Sequence, residues 1–281
     1  MSGPQLQVIG DPVLHSKSPL LHRAMLSMLG LDLPYTAHVV PKGGLPEYLA
    51  WAKAHQVIGF NATMPHKEDL IPLMDRLDED ATRIGAVNTV CLREGRFIGH
   101  NTDAGGCLAA LVESGLWPRS QVVVLGAGGA AKAVALKLAA SGAQRVWVCN
   151  RTVSKAQALA DADPHRVLAA ADFSPRTLAG LCAQAQLVVN CTNLGMAGCG
   201  QFQDFSFLDA LPREAGVFDL IYHPTETRLL AQARARGLAV SNGLPMLVHQ
   251  AVLALEYFLD RPLDRGSMAR AATAALTGAA S

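Results

Sequence analysis

Residues 121–155, QVVVLGAGGAAKAVALKLAASGAQRVWVCNRTVSK, decide the fold. Val122, Val123, Val124 and Leu125 form a short β-branched run, the composition of a strand buried on both faces of a parallel sheet. The run leads straight into Gly126-Ala127-Gly128-Gly129-Ala130-Ala131. Helix formers then dominate up to Gly142, which stands where a C-terminal cap glycine belongs. A second apolar run, residues 146–149, follows at once. Strand, glycine-rich turn, helix and strand in this order, with glycines spaced G-x-G-x-x-A, predict a dinucleotide-binding unit. Gly126 allows the tight turn, Gly128 lets a pyrophosphate approach the backbone, and Ala131 lets helix pack on strand. Phosphates would lie at the helix N-terminus, where unpaired N–H groups and the dipole favour anions. A purely structural glycine turn is the competing reading, and the flanking strand and helix weigh against it.

The end of the second strand points to the cofactor. An NAD site places Asp or Glu there to hold the ribose 2′-OH. This chain has Asn150-Arg151-Thr152, with Lys155 one helical turn further on. Two cations and no carboxylate suit a 2′-phosphate, hence NADP. The alternative is a solvated turn before a basic helix start.

A chain of 281 residues suggests one large or two ordinary domains. Half the residues are hydrophobic (50%) and 17% are charged, enough apolar material for a sizeable core. A net charge of +1, with no long stripe of cations, argues against nucleic acid as the main partner. There is no apolar stretch of transmembrane length, and MSGPQLQVIGDP at the start lacks the pattern of a signal peptide. Cysteines 91, 107, 149, 182, 191 and 199 show no C-x-x-C spacing. They are expected to be reduced thiols of a cytoplasmic protein with no membrane partner and no metal site.

Working back to the start, residues 5–9 read as a strand, followed by HSKSP at 15–19. Ser18 reads as the N-cap of a helix over 20–29; alternatively Ser16 and Ser18 point hydroxyls at a bound carboxylate. A strand over 57–60 runs into NATMPHKED at 61–69, where Pro65 predicts the first turn of a helix. Glu68 and Asp69 suit that dipole, whereas Lys67 faces its positive end at a cost of ~0.3–1 kcal/mol. A helix over 78–84 and a strand pair, 90–92 with 97–99, come next. Asp103 reads as the N-cap of a helix over 105–114, or else as the partner of Lys67 in a charged pair. Beyond 155, helices alternate with strands near 167 and at 186–190, 217–221 and 239–241. Gly195 to Gly200 reads as a flexible, ligand-facing loop, and Gln250 lies on an apolar helix where its amide needs partners. Residues from 265 onward are alanine-rich and predicted helical.

Nine blocks in series carry a resemblance: HSKSP (15–19), GFNATMPHK (59–67), GAVNT (85–89), NTDAGG (101–106), GAGGAAKA (126–133), NRTVSKA (150–156), NCTNLGM (190–196), DLIYHPTET (219–227) and NGLPMLVHQA (242–251). In this order they resemble the shikimate dehydrogenase family over about residues 8–260. Ala62, Ala104, Cys107, Cys191 and Asn193 stand where that family commonly has other residues. The resemblance implies an α/β chain with an N-terminal α/β substrate domain of residues 1–104 and 243–281. Residues 105–242 would form a Rossmann-like, doubly wound parallel-sheet domain for NADP, with a cleft between the two and the last helices folded back onto the first.

Carried over residue by residue, Lys67 and Asp103 become the catalytic pair. Ser16, Ser18 and Tyr222 would hold the substrate carboxylate, and Asn61, Thr63, Asn88 and Gln250 the ring hydroxyls. The implied cofactor set is Gly126, Ala127, Gly128, Gly129, Ala130, Asn150, Arg151, Thr152, Lys155, Thr192, Met196 and Gly243. The implied reaction is reversible hydride transfer between NADPH and the ketone of 3-dehydroshikimate, giving shikimate. Lys67 would protonate the nascent alkoxide, with Asp103 orienting it. The expected assembly is a monomer or homodimer. A sibling acting on quinate or an amino analogue is one alternative, and a catalytically silent ligand sensor on the same fold is another. The intact Lys67 and Asp103 favour an enzyme.

Overall fold

The computed structural model describes residues 3–278, so residues 1–2 and 279–281 of the predicted spans lie outside the described residues. The chain divides into two units, one running to Gly106 and resuming at Val248, the other comprising Cys107–Leu247. No helix among the described residues is long and apolar enough to cross a membrane.

The first unit contains, in chain order, β1 (Gln5–Gly10), α1 (Ser18–Met28), β2 (Tyr35–Val39), α2 (Leu45–Ala54), β3 (Val57–Ala62), β4 (Arg76–Leu77), α3 (Glu79–Ile84), β5 (Thr89–Arg93), β6 (Arg96–His100) and the start of α4 (Thr102–Glu113). Its sheet has the order β2-β1-β3-β5-β6-β4. β1, β2 and β3 are parallel, and β5 runs antiparallel to both β3 and β6. One face packs on α2 through Ile9, Val40, Leu45, Tyr48 and Phe60. On β3, a Cβ at Gly59 would come within 2.5 Å of the Phe258 ring, so close approach of that ring requires glycine.

Three helix starts differ from those expected. α1 begins at Ser18 itself, the cap position is Lys17 with no side-chain cap, and Ser16 Oγ accepts the Ser18 N–H at 3.2 Å. Ser18 is therefore not the N-cap. No helix begins at Pro65: residues 63–70 form separate turns leading to a short 3₁₀ segment, Ile71–Leu73. The Met64–Pro65 peptide is cis, and the turns close through His66 N–H on Thr63 O (3.0 Å) and Leu70 N–H on His66 O (3.0 Å). The dipole penalty expected at Lys67 thus has no helix to produce it. α4 begins at Thr102, so Asp103 lies within its first turn and is not the cap. Asn101 Oδ1 accepts the Ala104 N–H at 3.2 Å instead, which leaves the Asp103 carboxylate available for other partners.

The second unit continues with β7 (Gln121–Leu125), α5 (Gly129–Ala140), β8 (Arg145–Cys149), α6 (Val153–Asp161), β9 (Leu168–Ala171), α7 (Pro175–Cys182), β10 (Leu187–Asn190), β11 (Gly216–Asp219), α8 (Arg228–Ala235), β12 (Ala239–Ser241) and the start of α9 (Leu244–Leu259). α9 ends in the first unit, where α10 (Arg265–Thr277) packs against α1. The sheet order is β12-β11-β10-β7-β8-β9, all parallel, which is the Rossmann arrangement. The chain enters in the middle at β7, steps out through β8 and β9, then crosses to build the other half. Val122, Val123, Val124 and Leu125 are fully buried, as their unbroken apolar run requires of a central strand.

Candidate active site

In the first unit the sheet register brings chemistry to one edge. Val8 pairs with Asn61, Asn61 with Thr89, and Thr89 with His100. The C-terminal ends of β1, β3 and β6 therefore lie beside the N-terminal end of the antiparallel β5. Ser16 and Ser18 follow β1, Asn61 and Thr63 end β3, Lys67 sits in the next turns, Asn88 precedes β5 and Asp103 follows β6. Ligands of α/β sheets bind beyond such strand ends. Backbone bonds hold the loops there: Thr63 N–H to Ile9 O (2.9 Å), Val87 N–H to Lys67 O (2.7 Å) and Asn88 N–H to His100 O (3.1 Å).

Lys67 Nζ donates to Asp103 Oδ2 at 2.7 Å, and the two side chains are 34% and 21% exposed. Water reaches both, so the pair can exchange protons with solvent. His66 beside it is buried, and its Nε2 donates to Val40 O at 2.7 Å, anchoring the turn that carries Lys67. Asn88 Oδ1 accepts the Thr102 N–H (2.7 Å) and its Nδ2 donates to Thr102 Oγ1 (3.0 Å), which pins the first turn of α4 and with it Asp103. Asn61 Nδ2 donates to Asn88 O (3.1 Å) and Thr89 Oγ1 (2.9 Å), while its Oδ1 accepts from Tyr35 Oη (2.6 Å). Counting donors and lone pairs, Asn61 has only an Oδ1 lone pair left and can accept but not donate. Asn88 keeps one amide hydrogen and can donate. Ser16 and Ser18 are half-buried with their hydroxyl oxygens 3.2 Å apart, and Thr63 is half-buried as well. Gln250 lies on α9 against Gly106, where a Cβ would come within 2.7 Å of the Gln250 Cβ.

Behind this edge stands a layer that sequence reasoning missed: Tyr35, His22, Thr89, Thr102 and Asn101. Tyr35 is fully buried and stacks on His22 with ring centroids 4.2 Å apart. Burial pushes the Tyr35 phenol well above its ordinary pKa, with the neighbouring Ser18 hydroxyl opposing. His22 is likewise buried and reaches no hydrogen-bond partner among the described residues. Burial lowers its imidazolium pKa to about 3, the neighbouring Asn61 amide opposing. Thr89, Asn101 and Thr102 lie inside the quoted blocks GAVNT and NTDAGG without a role of their own, while Tyr35 and His22 read locally as ordinary strand and helix positions.

The second unit holds the glycine-rich turn. Gly126 has φ +106°, and a Cβ there would meet Thr192 Cγ2 at 3.1 Å, so turn and packing both require glycine. At Gly128 and Gly129 a Cβ would meet nothing within 4 Å. Packing within the protein thus does not demand glycine there, whereas a cradle for a pyrophosphate does. Gly128, Gly129 and Ala130 are exposed at the start of α5, where no side chain caps the free N–H groups, and Ala127 beside them is half-buried. At the end of β8, Asn150 Nδ2 donates to Thr152 O at 2.9 Å and shapes the turn. Arg151 and Lys155 are exposed, and no hydrogen bond or ion pair engages either side chain among the described residues. This donor set fits a dinucleotide carrying a 2′-phosphate. Thr192 and Met196 follow β10, Tyr222 follows β11 and Gly243 follows β12; Met196 and Tyr222 are exposed.

Three family models match the chain: the shikimate dehydrogenase substrate binding domain over residues 8–90, shikimate / quinate 5-dehydrogenase over 110–195, and the shikimate 5'-dehydrogenase C-terminal domain over 243–273. The chain is similar to the shikimate dehydrogenase (NADP(+)) of Symbiobacterium thermophilum, 42% identical over 97% of this chain and 95% of the relative. Among solved structures it is similar to shikimate 5-dehydrogenase from Thermus thermophilus in complex with NADP(H) and shikimate, with TM-score 0.84, 39% identity, and 97% and 99% of the two chains covered. It is also similar to quinate dehydrogenase from Corynebacterium glutamicum in complex with NAD, with TM-score 0.86, 32% identity, and 96% and 99% covered.

Proposed function

Because this chain belongs to the shikimate dehydrogenase family, we propose that it is an NADP-dependent shikimate dehydrogenase, interconverting 3-dehydroshikimate and shikimate. The observation that carries the chemistry is the Lys67–Asp103 contact of 2.7 Å at the strand-end edge. In the reducing direction the substrate carbonyl becomes an alcohol, so its oxygen needs a proton as the carbon gains hydride. The bound cofactor supplies the hydride. The Lys67 ammonium delivers the proton to the nascent alkoxide oxygen and is recharged from solvent, which its partial exposure permits. Asp103 accepts from Lys67 and aims the ammonium at that oxygen. In the oxidising direction Lys67 takes the hydroxyl proton by the same route.

The remaining roles follow from the free valences. Ser16 and Ser18 offer hydroxyls to the substrate carboxylate. Asn88 donates its remaining amide hydrogen to a ring hydroxyl, while Asn61 accepts from one through Oδ1. Thr63 and Gln250 complete the ring contacts. In the second unit, Arg151 and Lys155 hold the 2′-phosphate and the Gly126–Ala130 turn the pyrophosphate. All six cysteines are free, which supports a reducing, cytoplasmic setting. The test is the rise of the reduced-nicotinamide absorbance when shikimate and NADP+ are added, with quinate and NAD+ as competitors. Preferred turnover of quinate would replace the proposed substrate, and no turnover of either would leave a ligand sensor.

A further inference from the structure

One buried carboxylate has no part in the chemistry above. Asp219 ends β11 and is 0% exposed. Its Oδ1 accepts from Asn190 Nδ2 (3.0 Å) and from the Ile221 N–H (3.1 Å), and its Oδ2 accepts from Thr227 Oγ1 (2.6 Å). Burial raises its pKa above the ordinary carboxylate value, with Thr227, Ile221 and Asn190 opposing, and no cation is among the groups that perturb it. A buried carboxylate without a cation is costly, and here three donors from three separate segments converge on it, so it serves as their common acceptor.

Each of its partners leads to the mouth of the unit. Asn190 Oδ1 accepts the Thr192 N–H (3.0 Å) and the Thr192 hydroxyl (2.7 Å), setting the segment that runs to Met196. Ile221 precedes Tyr222, and its carbonyl accepts the Gly243 N–H at 3.1 Å. Gly243 sits so tightly that a Cβ would overlap Leu220 O at 1.9 Å. Thr227, bonded to Asp219 through its hydroxyl, also accepts the Leu230 N–H at 3.3 Å as the cap of α8. One side chain therefore ties the loops after β10 and β11 to the Gly243 backbone.

The sheet order says what these loops face. β8, with Arg151 at its end, lies on one side of β7, while β10 and β11 lie on the other. A dinucleotide whose 2′-phosphate is at Arg151 and whose pyrophosphate is at the β7 turn must send its nicotinamide half over β10 and β11.

We infer that Asp219 is a positioning residue for the nicotinamide half of the cofactor: it holds the Thr192–Met196 and Ile221–Tyr222 segments in register with Gly243. This rests on the NADP reading above, and the experiment separates the two. Dissociation constants are measured for NADPH, by its nicotinamide fluorescence, and for adenosine 2′,5′-bisphosphate, which lacks the nicotinamide half. The proteins are wild type, Asp219→Asn and Thr227→Val, each with a thermal midpoint.

Asp219→Asn is expected to weaken NADPH by roughly tenfold or more, the loss of a charge-assisted hydrogen bond, and adenosine 2′,5′-bisphosphate by no more than about twofold. Thr227→Val, which removes only the donor to Oδ2, should show the same pattern in smaller degree and carries the test if Asp219→Asn does not fold. Parallel losses for both ligands would mean general loosening, and no loss for either would mean an inert anchor; each overturns the inference. Wild-type protein that binds neither ligand would sink the cofactor reading instead.

Discussion

Replacing Lys67 by methionine removes the ammonium and keeps most of the aliphatic stem, so its effect separates two accounts of one ion pair. If the Lys67–Asp103 contact were a structural brace, stability would fall and turnover would follow it. The exposures of 34% and 21% argue otherwise. A pair that water reaches contributes ~0–1 kcal/mol, and in a domain of this size that is a shift of at most about 2–4 °C in the thermal midpoint. The Asp103 left behind is not stranded, because it stays partly solvated in the first turn of α4, where the dipole favours a carboxylate by ~0.3–1 kcal/mol. Turnover should respond on another scale: loss of a positioned acid–base group costs ~10²–10⁴ in rate, or about 3–5.5 kcal/mol of barrier. The assay is steady-state oxidation of shikimate and reduction of 3-dehydroshikimate, with a thermal melt and NADPH titration on the same preparation. Wild-type turnover in Lys67→Met would refute the proton-transfer role. So would a midpoint lowered by tens of degrees, which would make the pair a brace after all.

Arg151→Ala should weaken NADPH by about ten- to a hundredfold, the ~1.5–3 kcal/mol of a charge-assisted hydrogen bond, and NADH far less; equal losses in specificity constant for the two cofactors would defeat the assignment. Ser16→Ala is expected to raise KM for shikimate more than it lowers kcat, since a carboxylate remote from the reacting carbon is held alike in ground and transition states. The reverse split would move Ser16 to the reacting end. His22 supplies a pH test: its folded pKa of about 3 lies below the ordinary 6.5, so the unfolded chain takes up a proton that the folded one refuses. Its contribution to stability is therefore lost as pH falls from 6.5 towards 3, about 3 kcal/mol of it by pH 4.5. His22→Leu should make the acid decline of the urea midpoint shallower by that amount, and parallel curves for the two proteins would contradict the burial argument.

Much of this protein is legible in its sequence. The run at 122–125, the glycine turn and the run at 146–149 form β7, the start of α5 and β8, because a parallel strand buried on both faces tolerates only apolar residues and a tight turn beside a phosphate only small ones. Both are local requirements, visible in a handful of neighbouring residues. The errors were local too. Pro65 and Ser18 match helix-start statistics, yet the chain around Pro65 closes isolated turns and α1 begins one residue earlier than a Ser18 cap would need. What no local pattern could decide was who meets whom. Lys67 and Asp103 stand 36 residues apart and touch because β5 runs antiparallel between β3 and β6. Tyr35 reaches Asn61 across β1, and Asp219 reaches Asn190 across a strand pairing separated by 29 residues. Propensity and periodicity act over a few residues, and so they are written in the sequence. Hydrogen-bond partners are chosen by sheet register, which is set by burying apolar faces along the whole chain at once, and so they exist only in the folded molecule.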